Sequence, residues 1–489
     1  MIKRLLVAIA LLLLALVAAV AFNTVRLRSR QLDPPPGPPL ALDEAAAAER
    51  LGEAIRYRTV SDRHDETVNA EQFLALQEHL RKAYPRVHSS LRLEHVGGLS
   101  LLFTWPGTDP SLEPILLMAH QDVVPIAPGT DADWKEPPFS GAVKNGFVWG
   151  RGSWDDKGNL IAQLEAVERL LADGFAPRRP VMLAFGADEE VGGARGAAQI
   201  ARLLAQRGVK FQFILDEGLL ITQGLMPGLR APLALIGVAE KGYASVVLKV
   251  RAAPGHSSMP PPPGSSAIGK ASATLVRIEQ QQFPAEIRGV AQKMFDTLAP
   301  EMPPLQRVTL ANLWLFGPLV RRQLEDVPSA NAMLRTTTAL TLFNAGNAEN
   351  VLPGQAEAVV NFRILPGDSI ESALRHVKEI AGQDGTEISL LGAGSEPSAI
   401  ASIFGPQYEL MNRTVRELFP GTLVAPGLMI GATDSTHFRA LSEHIYRFSP
   451  VRAGPADLPR FHGTNERISI DNLGDLIRFY HRLLQQGAR

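Results

Sequence analysis

The stretch VMLAFGADEEVGG, residues 181–193, joins a short apolar run to a cluster of acids. A continuous apolar run of this length, bounded by glycine, is typical of a strand buried on both faces of a sheet. Glu189 and Glu190 follow it side by side, although adjacent carboxylates repel each other. Divalent cations would neutralise that repulsion, so the stretch predicts a metal site at the end of a buried strand.

Two further apolar runs end in the same way. PILLMA (114–119) stops at HQD, and FQFILDEG (211–218) places Asp216 and Glu217 near its end. Between PILLMA and VMLAFG, residues 159–174 carry apolar residues at helical spacing and finish at Gly174. This alternation predicts an α/β fold with a mostly parallel sheet covered by helices. Carboxyl ends of parallel strands share one edge, so we expect the acids to converge there.

Composition sets the outer limits. A chain of 489 residues is too long for one compact domain, and 45% hydrophobic with 20% charged residues is ordinary for folded proteins. The net charge is −1 without a basic block, which argues against a nucleic-acid partner. Because the chain has no cysteine, disulfides and thiolate chemistry are excluded, and any metal must be held by His, Asp and Glu.

The N-terminus is apolar without interruption from residue 5 to residue 22, behind Lys3 and Arg4. Such a run is long enough to span a bilayer as a single-pass helix. A cleaved signal peptide is the alternative, because residues 19–21 read AVA, a small-x-small cleavage pattern. The Leu-rich run is longer than a usual signal core and favours the uncleaved anchor. Either interpretation predicts a catalytic part outside the cytoplasm, secreted if the segment is cleaved.

The predicted domains follow from these patterns and from shifts in composition. They are a signal anchor (1–30), a stiff Pro-rich linker (31–42), a catalytic domain in two parts (43–238 and 364–489) and an inserted α+β domain (239–363). Strand-like β-branched segments such as YASVVLKVRA (243–252) mark the insert. No order of elements is predicted for the proline-interrupted residues 282–328.

Several motifs need weighing against ordinary structural roles. GSSAIGKA (264–271) nearly matches a P-loop, but Ala271 replaces the required hydroxyl and a proline run replaces the strand, so we reject phosphate binding. Taken singly, HQD, WDDKG, EE and HGTNE are ordinary turns, caps and loops. Together they supply two imidazoles and three carboxylates: His120, Asp155, Glu190, Asp216 and His462. Five such ligands can hold two Zn²⁺ ions if one carboxylate bridges.

At these residues the chain resembles the M20 family of metallopeptidases. The blocks MAHQDVVP, WGRGSWDDKG, FGADEEVGG, LDEG, PGHSS, NAENVLPG, NFRILPGD and FHGTNERI occur in the family's order and extend over nearly all of residues 45–485. HQDVVP, WGRGSWDDKG and the apolar N-terminus are most similar to the carboxypeptidase S branch, which includes the secreted N-fatty-acyl-amino-acid hydrolase/synthase type. The resemblance implies a di-zinc exopeptidase fold with an inserted dimerisation and lid domain.

The resemblance also implies a role for each site residue. His120 and Asp216 would bind one zinc, Glu190 and His462 the other, with Asp155 bridging. Asp122 would orient His120, and Glu189 would be the general base. His256 would donate to the scissile carbonyl from the insert of a second subunit. Asn350, Arg363 and Gly431 would hold the free α-carboxylate of the substrate. The peptide bond after Asp155 is expected to be cis.

The sequence therefore predicts a membrane-anchored di-zinc hydrolase, with Co²⁺ and Mn²⁺ as alternative metals, that forms a homodimer through the insert. It would cleave the amide bond next to a C-terminal amino acid in peptides or N-acyl amino acids. One alternative is a dedicated N-fatty-acyl amino acid hydrolase/synthase. Another is a catalytically silent, membrane-tethered binding protein, against which the intact Glu189 argues. A structural adhesion module would not need five convergent metal ligands.

Overall fold

The computed structural model describes residues 1–65, 67–382 and 385–489. These residues form two compact units. The insert unit comprises Met1–Arg28, Ala239–Ile400 and Leu428–Ala432. The catalytic unit comprises Ser29–Val238, Ala401–Gly427 and Thr433–Arg489.

Helices and strands are numbered separately in chain order. The helices are α1 (Ile2–Val25), α2 (Glu44–Arg56), α3 (Ala70–Ala83), α4 (Pro85–Ser90), α5 (Lys157–Ala172), α6 (Ala197–Gln206), α7 (Ala267–Gln280), α8 (Gly289–Leu298), α9 (Pro304–Ala311), α10 (Leu313–Glu325), α11 (Pro328–Leu334), α12 (Ile370–Ala381), α13 (Pro406–Leu418) and α14 (Ile470–Gly487). The strands are β1 (Arg92–Val96), β2 (Ser100–Trp105), β3 (Ile115–His120), β4 (Ala142–Lys144), β5 (Phe147–Trp149), β6 (Val181–Gly186), β7 (Phe213–Thr222), β8 (Leu233–Glu240), β9 (Gly242–Arg251), β10 (Gly255–His256), β11 (Thr337–Ala345), β12 (Val351–Leu352), β13 (Gln355–Ile364), β14 (Thr386–Leu390), β15 (Leu423–Met429), β16 (Ile445–Ala453) and β17 (Arg467–Ser469).

The catalytic unit is built on an eight-stranded sheet in the order β1-β2-β6-β3-β7-β16-β8-β15. Its four central strands, β6, β3, β7 and β16, pair in parallel, whereas β1, β2 and β8 join the sheet antiparallel. The predicted mostly parallel sheet is therefore mixed. The reason at one edge is local: β1 and β2 are joined by a short turn in which Gly97 and Gly98 have positive φ, and only antiparallel strands can be joined so tightly.

Helices cover both faces of this sheet, which is why β3 and β6 are apolar along nearly their whole length. Every residue of β3 and β6 is buried. Leu116 belongs to the same apolar cluster as Ile200 of α6. Because side chains alternate along a strand, Ile115 faces the other side, where it lies beside Gly487 of α14. The helix predicted over residues 159–174 is α5, and it ends just before Gly174, whose φ is +72°.

The insert unit contains a four-stranded antiparallel sheet in the order β11-β13-β9-β14. Helices α7 and α12 pack on it, with Leu275 and Val377 in one apolar cluster with Val246 and Phe362. The unit extends to Ile400, beyond the boundary predicted at residue 363, because α12 packs on this sheet and β14 pairs with β9. An insert that ended at residue 363 would leave out both of these elements.

The proline-interrupted stretch left unordered by the sequence is helical and forms α8 to α11. Two of its prolines, Pro304 and Pro328, stand in the first turns of α9 and α11, where a missing N–H leaves no bond unmade, whereas Pro318 lies inside α10. The N-terminal helix α1 has no buried residue. Its length and composition are those that membrane spans and signal sequences share.

Candidate metal centre

The sheet topology places two of the predicted ligands, His120 and Glu190, at the carboxyl ends of parallel strands. His120 is the last residue of β3, and Glu190 lies in a single 3₁₀ turn (Glu189–Val191) that follows β6. Asp216 lies in β7. Asp155 and His462 come from loops outside these strands, and His462 has a positive φ of 55°.

Asp155 connects the two imidazoles. Its Oδ1 lies 3.0 Å from Nε2 of His120, and its Oδ2 lies 2.7 Å from Nε2 of His462. Nε2 of His462 is also 3.4 Å from Oε1 of Glu190. Ligand atoms of His120, Asp155 and Glu190 all lie within 4.8 Å of one another. Each oxygen of one carboxylate thus faces a different histidine. The peptide bond between Asp155 and Asp156 is cis, as the resemblance implies.

Asp122 holds the backbone of both glutamates. Its Oδ1 accepts a hydrogen bond from the N–H of Glu189, and its Oδ2 accepts one from the N–H of Glu190, each at 3.1 Å. Ser61 donates to Oδ2 at 2.7 Å. Nδ1 of His120 lies 2.9 Å from the backbone carbonyl oxygen of Asp122 and 3.3 Å from its Oδ1. Asp122 therefore contacts the ring of His120 and also holds the turn that carries Glu189 and Glu190.

The electrostatic field of the site is strongly negative. Burial alone would lower the pKa of His120, but hydrogen bonds with Asp122 and Asp155 outweigh burial and hold this pKa well above its ordinary value. Hydrogen bonds that His462 donates to the carboxylates of Asp155 and Glu190 raise its pKa to about 10. Burial raises the pKa of Glu189 well above its ordinary value. A site that favours positive charge on its imidazoles suits a cation.

Glu466 braces the loop that presents Asp155, a role that the sequence did not predict. Its Oε1 accepts hydrogen bonds from the N–H groups of Gly152, Trp154 and Asp155 at 2.9, 3.0 and 3.2 Å. Its Oε2 pairs with buried Arg151. The signal was present in the sequence, because HGTNE and WGRGS place an acid and a base in the two loops that carry His462 and Asp155.

The neighbouring carboxylates of Asp216 and Glu217 make different contacts. Oδ2 of Asp216 accepts the N–H of Ser435 at 2.8 Å, and its Oδ1 accepts the N–H of Glu217 at 3.0 Å. Ligand atoms of Glu217 lie within 4.8 Å of those of Asp155 and Asp156. Within the described residues, Asp216 is in no such group. The geometry therefore brings Glu217 to the cluster, whereas Asp216 is occupied by backbone N–H groups.

In the insert unit, His256 and Asn350 are neighbours. Strand β10 pairs with β12, and the N–H of Ser257 donates to the backbone carbonyl of Asn350 at 3.0 Å. The N–H of Ser258 donates to Nδ1 of His256 at 3.2 Å. Nδ1 is then an acceptor, so the neutral imidazole carries its proton on Nε2. Both predicted residues are exposed.

Arg363 lies on β13 opposite Tyr243 of β9, and its guanidinium carbon is 5.0 Å from the centre of the Tyr243 ring. In the part of the chain that the structure describes, it forms no ion pair with a carboxylate. Gly431 follows β15 and is half-buried. Arg363 is thus a cation oriented by an aromatic ring without an acidic partner, as an anion-binding residue would be.

The donor set of the catalytic unit fits a divalent metal. Imidazole nitrogen and carboxylate oxygen are the ligands that Zn²⁺ takes in cysteine-free sites. Burying an unpaired carboxylate oxygen is costly unless a cation compensates. Oε1 of Glu190 is buried, and its ion pair with Nε2 of His462 is long, at 3.4 Å, compared with the 2.7 Å between Oδ2 of Asp155 and the same nitrogen. A sheet edge that gathers such ligands beside the carboxylate of Glu189 is characteristic of a metal-dependent hydrolase.

Comparison with known proteins agrees with this class. A family profile described as "Peptidase family M20/M25/M40" matches residues 116–486. The chain is 39% identical over 484 residues to "Probable carboxypeptidase S-like 2" of Dictyostelium discoideum, covering 97% of this chain and 92% of the relative. It is 41% identical over 440 residues to "N-fatty-acyl-amino acid synthase/hydrolase PM20D1" of Xenopus tropicalis, covering 89% and 85%.

The fold agrees as well. The crystal structure of the M20 family metallo-carboxypeptidase Sso-CP2 from Sulfolobus solfataricus matches with a TM-score of 0.64 at 19% identity, over 91% of this chain and 99% of that one. The chain belongs to peptidase family M20. The family predicted from the sequence is confirmed, and so is the prediction of a hydrolytic enzyme.

Proposed function

We propose that the chain is a two-metal amidase that hydrolyses the amide bond next to a C-terminal amino acid, in peptides or in N-acyl amino acids. The observation that carries this proposal is the position of Asp155, whose two oxygens face His120 and His462 separately. The names of the relatives, carboxypeptidase S-like and N-fatty-acyl-amino acid synthase/hydrolase, support the substrate class.

Two Zn²⁺ ions are the proposed cofactors, held by His120, Asp155, Glu190 and His462 with one further carboxylate. When bound, such ions polarise the scissile carbonyl and acidify water. The chain's own contribution is the proton transfer by Glu189. Its carboxylate takes a proton from the attacking water and gives it to the leaving amine nitrogen, a task for which a pKa raised by burial is suited.

The further carboxylate is either Asp216, which the family resemblance favours, or Glu217, which the geometry favours. Asp216 already accepts two backbone N–H groups, and Glu217 lies in a ligand group with Asp155. We propose Glu217 as the ligand and Asp216 as the residue that holds the β7 backbone to Ser435.

The substrate's free carboxylate is assigned to Arg363, together with Asn350 and Gly431. Arg363→Ala should weaken substrates with a free carboxylate about 10- to 150-fold more than their amides, as the loss of a charge-assisted contact would. The measurement is kcat/KM for N-acetyl amino acids and their amides. Equal losses on acid and amide would show that Arg363 only stabilises the sheet.

His256 is proposed as the oxyanion donor to the active site of a partner subunit in a homodimer joined by the inserts. The proton on Nε2 and the exposure of the loop support this role. Glu189→Gln and His256→Ala, each inactive alone, should then complement after subunit exchange, restoring up to about a quarter of wild-type sites in a symmetric dimer. Mixtures that exchange subunits and stay inactive would exclude a shared site.

Helix α1 is proposed as an uncleaved membrane anchor that keeps the catalytic unit outside the cytoplasm. Its 24 residues have a mean hydropathy of 3.2 in the most apolar window and no buried side chain. N-terminal sequencing of the mature chain, with extraction of membranes by alkaline carbonate, separates the anchor from a cleaved signal. A mature chain that begins near residue 22 would exclude the anchor.

The substrate is tested by a panel that compares blocked dipeptides, N-acetyl amino acids and long-chain N-acyl amino acids, read by mass spectrometry. Turnover should disappear with a chelator and return with Zn²⁺. Hydrolysis confined to the long-chain substrates would favour the narrower N-fatty-acyl amino acid hydrolase, which the 41% identity to PM20D1 supports. Chelator-resistant turnover, or none on any member of the panel, would contradict the proposed function.

A further inference from the structure

A buried amide fastens the last turn of α1 to the start of α10. Nδ2 of Asn312 donates to Oγ1 of Thr24 at 3.2 Å and to the carbonyl oxygen of Val20 at 3.3 Å. Its Oδ1 accepts from Nδ2 of Asn23 at 3.1 Å and from Nε1 of Trp314 at 3.2 Å. Asn312 is fully buried by these contacts. The residues around α10 therefore lie next to the C-terminal end of α1.

That end of α1 would lie at a membrane surface. A helix of 24 residues is about 36 Å long at roughly 1.5 Å per residue, slightly more than the ~30 Å hydrocarbon core. Arg26, Arg28 and Arg30 follow it, and basic residues at the end of a span suit the phosphate region. Arg307 of α9 donates to the carbonyl oxygen of Leu27 at 2.9 Å, which holds α9 at the same level.

Helix α10 presents an apolar face to solvent at this level. Trp314, Leu315 and Leu319 are 59%, 37% and 56% exposed, whereas Val320 is buried. Their spacing places the three exposed side chains, with Arg322 one turn further on, on one side of the helix. We call Trp314, Leu315 and Leu319 the α10 face.

We propose that the α10 face is a lipid-docking surface that lies in the interface of the bilayer spanned by α1. This proposal rests on the proposed membrane anchor. Three features point to lipid as the occupant: the hydrogen-bonded continuity with α1, a tryptophan at the depth where indole rings concentrate in membranes, and exposed Arg321 and Arg322 that suit anionic headgroups. An exposed apolar helix face beside a membrane span is thereby accounted for.

Trp314 gives the experiment its probe. The chain has five tryptophans, and the other four are between 5% and 8% exposed. The full-length protein is reconstituted into vesicles of phosphatidylcholine and phosphatidylglycerol, with and without bromine on the acyl chains. Brominated lipid should quench roughly a fifth of the tryptophan emission, the share of one residue in five. Trp314→Phe should abolish this quenching.

Leu315→Asp and Leu319→Asp test the face without removing the probe or the Asn312 hydrogen bonds. Each should reduce the quenching by brominated lipid and make Trp314 more accessible to iodide. Turnover of a short N-acetyl amino acid should be unchanged, because neither residue is assigned to the catalytic machinery. The docking result is thus independent of whether the proposed substrate class is correct.

Three outcomes would overturn the docking surface. In the first, Trp314 is quenched by iodide and not by brominated lipid in protein that resists carbonate extraction; the anchor then stands and the docking surface does not. In the second, Leu319→Asp converts a dimer into a monomer in lipid nanodiscs, and wild-type Trp314 is insensitive to bromine. The α10 face would then bind a second copy of the chain instead of lipid. Loss of the chain from the vesicles on carbonate treatment would remove both the anchor and the docking surface.

Discussion

Asp122→Asn should weaken both the fold and the metal site, by amounts that the contacts of Asp122 allow us to separate. The carboxylate accepts the N–H groups of Glu189 and Glu190 at 3.1 Å each and the hydroxyl of Ser61 at 2.7 Å. An asparagine has the same shape but only one acceptor oxygen. One backbone N–H would therefore face a donor, and losing a hydrogen bond to a charged group costs about 1.5–3 kcal/mol of unfolding free energy.

The loss of metal affinity should be smaller than the loss usually caused by removing the hydrogen-bond partner of a metal-binding histidine. A group that hydrogen-bonds the second ring nitrogen of a metal-binding histidine typically raises metal affinity by about 10- to 100-fold. Nδ1 of His120 is nearer to the backbone carbonyl of Asp122, at 2.9 Å, than to its Oδ1, at 3.3 Å. The carbonyl survives the substitution and keeps the ring oriented. We therefore expect a loss of about 10-fold, or roughly 1.4 kcal/mol.

Asp188→Asn is the matched control. Asp188 lies in the same segment and accepts the N–H groups of Arg195 and Gly196 at 2.8 Å each, but it makes no hydrogen bond or ion pair with a predicted metal ligand in the described chain. Both variants should lower the urea midpoint to a similar extent. Only Asp122→Asn should lower the Zn²⁺ affinity of chelator-stripped protein, measured by competition with a coloured chelator.

Two results would refute this reasoning. Equal loss of Zn²⁺ affinity in both variants would show that the metal site responds to general destabilisation. Wild-type Zn²⁺ affinity in a destabilised Asp122→Asn variant would show that the carboxylate has no part in orienting His120.

Three other predictions follow from the site and the core. Glu189→Gln should keep its metals and lose about 10²–10⁴-fold in kcat, because a general base is removed without removing a ligand; loss of metal would mean that Glu189 is itself a ligand. Glu217→Gln should lower the bound metal measured by mass spectrometry, whereas Asp216→Asn should keep it, and the reverse would restore Asp216 as the ligand. His481 is buried, which lowers its pKa to about 4 from an ordinary value near 6.5. The unfolded chain binds more protons between these values, so stability should fall as pH falls from about 6.5 to 4, and His481→Leu should flatten that slope in urea midpoints.

The sequence predicted that the site residues converge because the patterns that indicate this are local. An apolar run followed by an acid marks a strand end, and parallel strands share one edge, which suffices to bring His120 and Glu190 together. The choice between Asp216 and Glu217 depends on something less local. Adjacent strand residues face opposite sides, but the register of β7 with β16 shifts just after Asp216, where Gly218 has φ +145°. Pattern alone cannot place such an irregularity.

The antiparallel edges and the extent of the insert were missed for a related reason. Whether β2 runs with or against β6 depends on the tertiary path of the chain, because both arrangements bury the same apolar residues. The sequence predicts no order of elements for residues 282–328, because proline is unfavourable in a helix interior. In a first helical turn, as at Pro304 and Pro328, a proline is instead compatible with the helix that follows.

The two glycines that follow the paired glutamates distinguish two reasons why glycine is required there: backbone strain and collision with a neighbouring side chain. Gly192 and Gly193 both have positive φ, 105° and 65°, so alanine is strained at either position. A Cβ at Gly192 would meet nothing within 4 Å, whereas one at Gly193 would lie 2.1 Å from Oδ1 of Asp434 and 3.0 Å from Nε2 of His437. Gly193→Ala must therefore displace the buried Asp434 in addition to the backbone strain. We expect Gly192→Ala to lose stability and retain turnover, and Gly193→Ala to lose more stability and turnover as well, since the moved segment carries Glu189. Urea midpoints and kcat for both variants measure this difference, and equal behaviour would show that backbone conformation alone requires glycine after the glutamates.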